Sequence, residues 1–429
     1  MHRSLATKES TVDLAAVEPA PYVPLGHADA QRYRGIGEEL LRSGSVAAFV
    51  VAGGQGTRLG WRGPKGTYPS TVVSGKPLFR VFAEQILAAS RAYGVSIPWY
   101  VMTSPLNDGD TRAFFRDNNW FGLQERDVFL FPQGTLPSMT QDGKLLLEER
   151  DVLAVNPDGH GGALKALKAS GALEEMQSRG IRHLSYFQVD NPLVRVVDPH
   201  FLGLHEAHPD SSGEMSSKMV PKRDAAEKVG VFCLERTPQG PRTRVLEYSD
   251  LPAHIAQAVD ADGRLRFRAG SIAIHVLSTS FIDRLTKDAH HFGLPYHRAI
   301  KKVPHIDLAT GVKVEPHQPN AVKFEAFIFD ALAACSKSLV VETGRTEEFA
   351  PIKNAAGEDS PASSHRLQSD RAGAWLEAAG VVVPRTADGH VDAKIEISPL
   401  TALDADAVKK ARAAGQIPSE IVRGAELML

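Results

Sequence analysis

The stretch that most constrains the fold is Val46–Lys65, VAAFVVAGGQGTRLGWRGPK. Val46 to Val51 run without a charge, which predicts a strand buried on both faces of a parallel sheet. Ala52-Gly53-Gly54-Gln55-Gly56-Thr57 then leaves the backbone almost bare, free to turn tightly and to present N–H groups to an anion. Arg58 and Lys65 add two fixed positive charges beside it, so the whole stretch reads as a phosphate-binding site. It is not a dinucleotide fingerprint: counting from Gly54, Leu59 takes the third glycine's place and Gly60 comes one residue late. Nor is it a P-loop, because Lys65 is preceded by Pro64 and followed by Gly66.

A chain of 429 residues exceeds one ordinary core. The pattern divides it into an N-terminal arm and helix (1–44), a central domain (45–378) and a small C-terminal domain (379–429). Residues 1–27 carry Pro19, Pro21 and Pro24 and read as a loosely attached arm. Asp29 to Leu41 reads as a helix, Pro77 opens another to about Tyr93, and Thr111 to Asn118 a third. Pro98 to Thr103, Val128 to Phe131 and His183 to Val189 are strands. This alternation indicates an open α/β sheet with crossover connections, whose ligands sit outside the carboxyl ends of the strands. Met215–Pro221, Val229–Leu234, Arg244–Tyr248 and Leu265–Arg268 are short β-like runs that suggest a separate mixed or antiparallel subdomain, with Ile272–Leu277 returning to the sheet. Val381–Val383 and Lys394–Ile397 are strand candidates of the C-terminal appendage.

The net charge of −2 argues against nucleic-acid binding by overall field, so phosphates must be met by locally placed Lys and Arg. The two cysteines, Cys233 and Cys335, each lie in an apolar run and read as buried free thiols in a reducing compartment. Cys/His metal spacing, an apolar leader and a membrane-length run are all missing from the sequence, which favours a cytoplasmic protein with no membrane partner.

Individual residues carry further chemistry. Gln133 directly follows a strand, where its amide either reads a base edge or bonds its own turn. Asn156-Pro157-Asp158-Gly159-His160-Gly161-Gly162 opens a helix whose glycines permit close approach of a ligand, or simply cap it. Asp190 stands at the tip of a central strand, where a carboxylate can hold Mg²⁺ against phosphates or cap the turn before Pro192. Tyr296–Lys302 is basic and aromatic. Lys323 lies where the chain enters AFIFDALAACSK, read as a buried helix; a cation at a helix start is out of place unless an anionic ligand neutralises it.

These residues fall in ordered blocks: AGGQGTRLGWRGPKG, FPQGTLPSM, NPDGHGGALKAL, YFQVDNPLVRVVDPHFLG, EKVGVF, VLEYSDL, AIKKVPHID, NAVKFEAFIFDAL and EEFAPIKNA. In them the chain resembles the eukaryotic-type UDP-sugar pyrophosphorylases, and most closely those acting on UDP-N-acetylglucosamine. The resemblance runs from about Gly35 to Ala379. It implies a Rossmann-like open mixed α/β sheet of the nucleotide-diphospho-sugar transferase type. It also implies a uridylyltransferase that joins UTP and a sugar 1-phosphate, N-acetylglucosamine 1-phosphate foremost, to give a UDP-sugar and pyrophosphate with Mg²⁺. Carried over position by position, Arg58, Lys65 and Lys323 are the catalytic cations. Ala52, Gly53, Gly54, Gln133, Gly159 and His160 bind the nucleotide, the last three on the uracil. Asp190 faces the phosphates and metal, and Gly230, Glu247, Tyr248 and Ser271 line the sugar pocket with it. Two positions depart from the acetylhexosamine pattern: Gly270-Ser271-Ile272 stands for G-N-I, and His160 for an Asn, as in glucose-specific relatives. A UTP–glucose-1-phosphate or broad-specificity enzyme is therefore the alternative, and a non-catalytic sugar-nucleotide binder the remote one.

Overall fold

The computed structural model describes residue 12 and residues 14–287 and 293–429. Its centre is a ten-stranded mixed sheet. The strands are β1 (Val17–Pro19), β2 (Val46–Val51), β3 (Trp99–Thr103), β4 (Val128–Pro132), β5 (His183–Gln188), β6 (Met215–Pro221), β7 (Val231–Thr237), β8 (Gly240–Leu246), β9 (Ala269–Ser278) and, beyond two strands outside the sheet, β12 (Val340–Glu342). The two outside it are β10 (His297–Lys301) and β11 (Ala321–Glu325), which pair antiparallel with each other.

Strand β2 is parallel to β3 on one side and to β5 on the other, with Val51 opposite both Met102 and Gln188. Its residues alternate between two cores: Val46, Ala48, Val50 and Ala52 face one, Ala47 and Phe49 the other. That is the burial on both faces that its uninterrupted apolar run predicts. The first core is covered by helices α1 (Ala30–Arg42), α2 (Leu78–Tyr93), α3 (Asp108–Asp117) and α6 (Pro199–Ala207); the second by α4 (Gly162–Ala169), α5 (Ala172–Ser178) and α7 (Thr279–Thr286). The chain runs outward from β2 through β3 to β4 and later returns to β2's other side as β5. The crevice beyond the carboxyl ends of β2 and β5 is therefore the switch point of the sheet, where ligands of open α/β sheets bind.

Several expectations change. The β-like runs after residue 214 form no separate subdomain: β6 and β7 both pair with β9, β8 pairs with β7, and β9 runs antiparallel to β5, so they extend the central sheet. Of Leu265–Arg268 only Leu265 makes a bridge, to Val259. The arm is not loose from Val17 onward, since β1 forms a sheet edge on β7 and Val23 exchanges backbone hydrogen bonds with Val340 and Glu342; residues 1–11 and 13 lie outside the described residues. Lys323 sits mid-strand in β11 rather than at a helix start, and AFIFDALAACSK holds only a short 3₁₀ run, Ile328–Ala334. The dipole argument about Lys323 therefore does not apply.

Helix α1 crosses α6 at a pair of glycines. A Cβ on Gly37 would meet the Pro199 carbonyl oxygen at 1.7 Å and one on Gly203 the Tyr33 carbonyl oxygen at 1.8 Å. The C-terminal core gathers Val381, Val391, Val408 and Ile421 against Ala372, Trp375 and Leu376 of α8 (Pro361–Ala378). Helix α9 (Ala405–Ala413) and the parallel pair β13 (Lys394–Glu396) and β14 (Glu426–Met428) complete it. Val381–Val383 is not a strand; Val382 alone bridges Glu420. Both cysteines are buried free thiols, held above their ordinary acidity range by burial. Among the described residues no helix is long and apolar enough to cross a membrane.

Candidate active site

The glycine loop leaves β2 through Ala52, whose N–H donates to the Met102 carbonyl at 2.7 Å. Buried Asn107, just before α3, then ties the loop from behind, its Nδ2 donating to the carbonyls of Ala52 (3.1 Å) and Gly54 (3.3 Å). With the carbonyls held inward, the N–H groups of Gly53 and Gly54 have no partner among the described residues, which is the state an anion-binding loop requires. The Lys65 N–H donates to the Gly54 carbonyl at 3.0 Å and folds the chain back, so that Lys65 Nζ comes within 3.6 Å of Asp190 Oδ2 at the end of β5. Arg58, on the 3₁₀ turn Thr57–Leu59, is exposed.

Gln133 follows β4, and its side chain packs against Gly53: a Cβ there would lie 2.9 Å from Gln133 Oε1. The Asp158–Gly162 loop approaches the same face. Its glycines also let the loop pack closely against the backbone at Ala326 and Phe327. Gly159 has φ +84°, and a Cβ on it would meet the Ala326 carbonyl oxygen at 2.4 Å; one on Gly161 would meet the Ala326 and Phe327 backbone at 2.7 Å. The Asp158 carboxyl is wedged between Gly134 and Gly162, and its buried Oδ1 has no hydrogen-bond partner among the described residues. Burial raises it to about 6.

Behind the switch point opens a cavity of about 240 Å³. It is lined by Asp190, Gly230, Glu247, Tyr248, Ser271 and His160, together with Gln188, Lys228, Phe329 and Lys353. The structure thus brings Asp190 and all the sugar-pocket candidates together, and places His160 with them rather than with Gln133. His160 Nδ1 accepts the Ile328 N–H at 3.1 Å, so the neutral ring carries its proton on Nε2. Burial, with His297 nearby, lowers its affinity for a second proton to about 4, so it stays neutral at physiological pH. Burial, and next to it Asp250, raises the Glu247 carboxyl. Lys323 lies outside this cavity, on β11; burial and then Lys301 lower it against the opposing pull of Glu325.

The cavity wall has a kink that the sequence does not announce. Between Ser217/Met219 of β6 and Ser271/His275 of β9 the register slips, and Ala273 takes φ +54°. This bulge turns the segment Ser271–Ile274 toward the cavity, which all four residues line. Sequence reasoning also missed Asn107, which sits before the predicted start of its helix, and Lys228 and Lys353. The last two stand inside EKVGVF and EEFAPIKNA, blocks that carried the resemblance but were assigned no lysine.

A family profile described as UTP–glucose-1-phosphate uridylyltransferase matches residues 3–367. UDP-N-acetylglucosamine pyrophosphorylase of Saccharomyces cerevisiae is 37% identical over 390 residues, 88% of this chain and 80% of the relative. Human UDP-N-acetylhexosamine pyrophosphorylase-like protein 1 is 37% identical over 425 residues, 92% and 82% of the two chains. The fold superposes on an Entamoeba histolytica protein assigned as a UDP-N-acetylglucosamine pyrophosphorylase with a TM-score of 0.80 at 30% identity, covering 96% of this chain and 98% of the other. A bare loop with free N–H groups, a lysine facing an aspartate across the switch point, and this agreement over most of the length lead to one assignment: the chain belongs to the UTP–glucose-1-phosphate uridylyltransferase family of UDP-sugar pyrophosphorylases.

Proposed function

We propose that this protein transfers the uridylyl group of UTP to a sugar 1-phosphate, with N-acetylglucosamine 1-phosphate as its substrate, releasing pyrophosphate and the UDP-sugar. The observation that carries the reading is the position of the Lys65–Asp190 pair. It lies between the N–H groups of Gly53 and Gly54, which have no partner among the described residues, and a cavity of about 240 Å³ that Asp190 lines.

In this reaction a phosphate oxygen of the sugar attacks the α-phosphorus of UTP, a new P–O bond forms, and the bond to pyrophosphate breaks. The attacking oxygen is already ionised, so no side chain need remove a proton. The protein's work is to align two anions and to offset the charge that moves onto the leaving group. Gly53 and Gly54 offer N–H donors to the phosphates, Arg58 and Lys65 are the cations on the nucleotide side, and Lys323 supplies a further one. Gln133, Ala52 and Gly159 form the base side. His160, with Nε2–H as a fixed donor, reaches the sugar cavity beside Glu247 and Ser271.

Asp190 suits Mg²⁺, which is commonly held by one or two carboxylates and completes its shell with substrate phosphates and water. Among the described residues no group of three His, Cys, Asp or Glu side chains gathers, so a preformed all-protein cage is not the mode here. When bound, the ion neutralises phosphate charge and makes them better electrophiles. The buried free thiols suit a reducing cytoplasm as the place of action.

A second reading, glucose 1-phosphate or a broad set of sugar phosphates, is favoured by one observation: Ser271, a short hydroxyl, lines the cavity at the position where the family resemblance implies an Asn amide in acetylhexosamine-specific enzymes. Pyrophosphate release measured with UTP and a panel of sugar 1-phosphates decides between the two. Release with none of them overturns the enzymatic reading.

A further inference from the structure

Two segments far apart in sequence meet at the rim of the cavity: the tip Asp190-Asn191 beyond β5, and Glu348–Lys353. Three hydrogen bonds join them like rungs. The Ile352 N–H donates to the Asp190 carbonyl at 2.8 Å. The Asn191 side chain makes the other two, Nδ2 donating to the Glu348 carbonyl at 2.6 Å and Oδ1 accepting the Ala350 N–H at 3.0 Å. Oδ1 also accepts the Leu193 N–H at 3.3 Å, so this oxygen has no capacity left for a ligand.

The second segment is held from behind as well. Lys218 Nζ donates to both Glu348 carboxylate oxygens, at 2.7 and 2.6 Å, and Ser364 Oγ donates to the Ala350 carbonyl at 2.8 Å. Lys353 follows the last rung by one residue. It lines the cavity with Glu247 and Tyr248, whereas Gly53 and Gly54 do not.

We propose that Asn191 is a positioning residue of the reaction: its amide sets the register between Asp190 and Lys353, so that a carboxylate and an ammonium meet the sugar phosphate at a fixed separation. The proposal rests on the uridylyl-transfer reading above. Asparagine suits the task because it carries a donor and an acceptor side by side on a short stem. Alanine would leave the Glu348 carbonyl and Ala350 N–H without their partner, and aspartate would set an acceptor against the carbonyl.

The test compares Asn191→Ala and Asn191→Asp with wild type in the full chain, by steady-state kinetics with UTP and N-acetylglucosamine or glucose 1-phosphate, thermal melting, and amide hydrogen exchange. Misplacing a group by about 1 Å can cost about a hundredfold in rate. We expect kcat/KM for the sugar phosphate to fall roughly 10- to 100-fold in both variants, while KM for UTP stays within about threefold. Exchange at Ala350 and Ile352 should accelerate. In a Lys353→Ala background, removing Asn191 should cost less than about threefold more, because the register no longer has a lysine to place. Fully multiplicative losses in the double variant, or both KM values rising in step with a falling melting temperature, overturn the proposal. Failure of the underlying reading looks different: wild type then releases no pyrophosphate with any sugar phosphate. The exchange comparison decides in that case, faster exchange supporting the clamp and unchanged protection of Ala350 and Ile352 refuting it.

Discussion

Lys65 Nζ stands 3.6 Å from Asp190 Oδ2, with the two side chains only 15% and 14% exposed. The separation exceeds a hydrogen bond, so the pair attracts without being locked together. A phosphate arriving between the glycine loop and β5 can draw the ammonium toward itself without breaking a strong bond. The same approach leaves the carboxylate facing the substrate, where a cation has room to join it.

Lys65→Ala and Arg58→Ala should each lower turnover by about a hundred- to thousandfold, the loss of about 2.7–4 kcal/mol typical when one transition-state donor is removed. Exposed Arg58 should change the denaturation midpoint little, since surface substitutions stay within about 0.5 kcal/mol. Turnover of both variants within a few-fold of wild type would take these cations out of the mechanism.

Asp190→Asn keeps the shape of the strand tip and removes its charge. Activity titrated against Mg²⁺ should collapse, while circular dichroism and melting remain those of the wild type. Ordinary turnover at ordinary Mg²⁺ would reduce Asp190 to a turn residue.

Asp158 gives a pH prediction. Its carboxyl is raised from the ordinary 3.8 to about 6 by burial, so the native state prefers the protonated form. Its stabilising share is therefore full below about pH 4 and is lost as pH rises through 6, a change of roughly 3 kcal/mol at 1.36 kcal/mol per unit. Asp158→Asn removes the charge. It should melt above wild type at pH 8, with the gap closing toward pH 4; a gap independent of pH would refute the assignment.

Sugar choice turns on Ser271. A site that hydrogen-bonds an acetamido group rejects sugars lacking it, because its buried partners are left unpaired. One rotatable hydroxyl on a short stem discriminates less than an amide. Wild type should therefore prefer N-acetylglucosamine 1-phosphate over glucose 1-phosphate only weakly, and Ser271→Asn should shift the ratio of kcat/KM values toward the acetylated sugar. A strong wild-type preference that the substitution leaves unchanged would move the selectivity elsewhere.

What the sequence disclosed follows from which forces are local. Val46–Val51 was legible because burial on both faces writes an unbroken apolar run into contiguous residues. The partners of β6, β7 and β8 were not, since a strand's pattern does not say which edge it joins. AFIFDALAACSK misled because a short buried apolar run has no period to tell helix from extended chain. In the site, the glycine loop and its lysine carried their chemistry in contiguous residues. Asn107, Asn191 and Lys353 acquire meaning only from backbone groups brought to them across the fold.

The bulge at Ala273 fixes more than a local kink. Sliding a strand by one residue would carry each of its side chains to the opposite face of the sheet. Here a non-glycine residue held at φ +54° between two in-register stretches pins the strand against its neighbours. Ser271 and Ile272 cannot trade places by translation. Change of substrate range at this wall is thereby left to side-chain replacement at constant curvature, and a library that varies Ser271 and Ile272 while sparing Ala273 keeps that curvature.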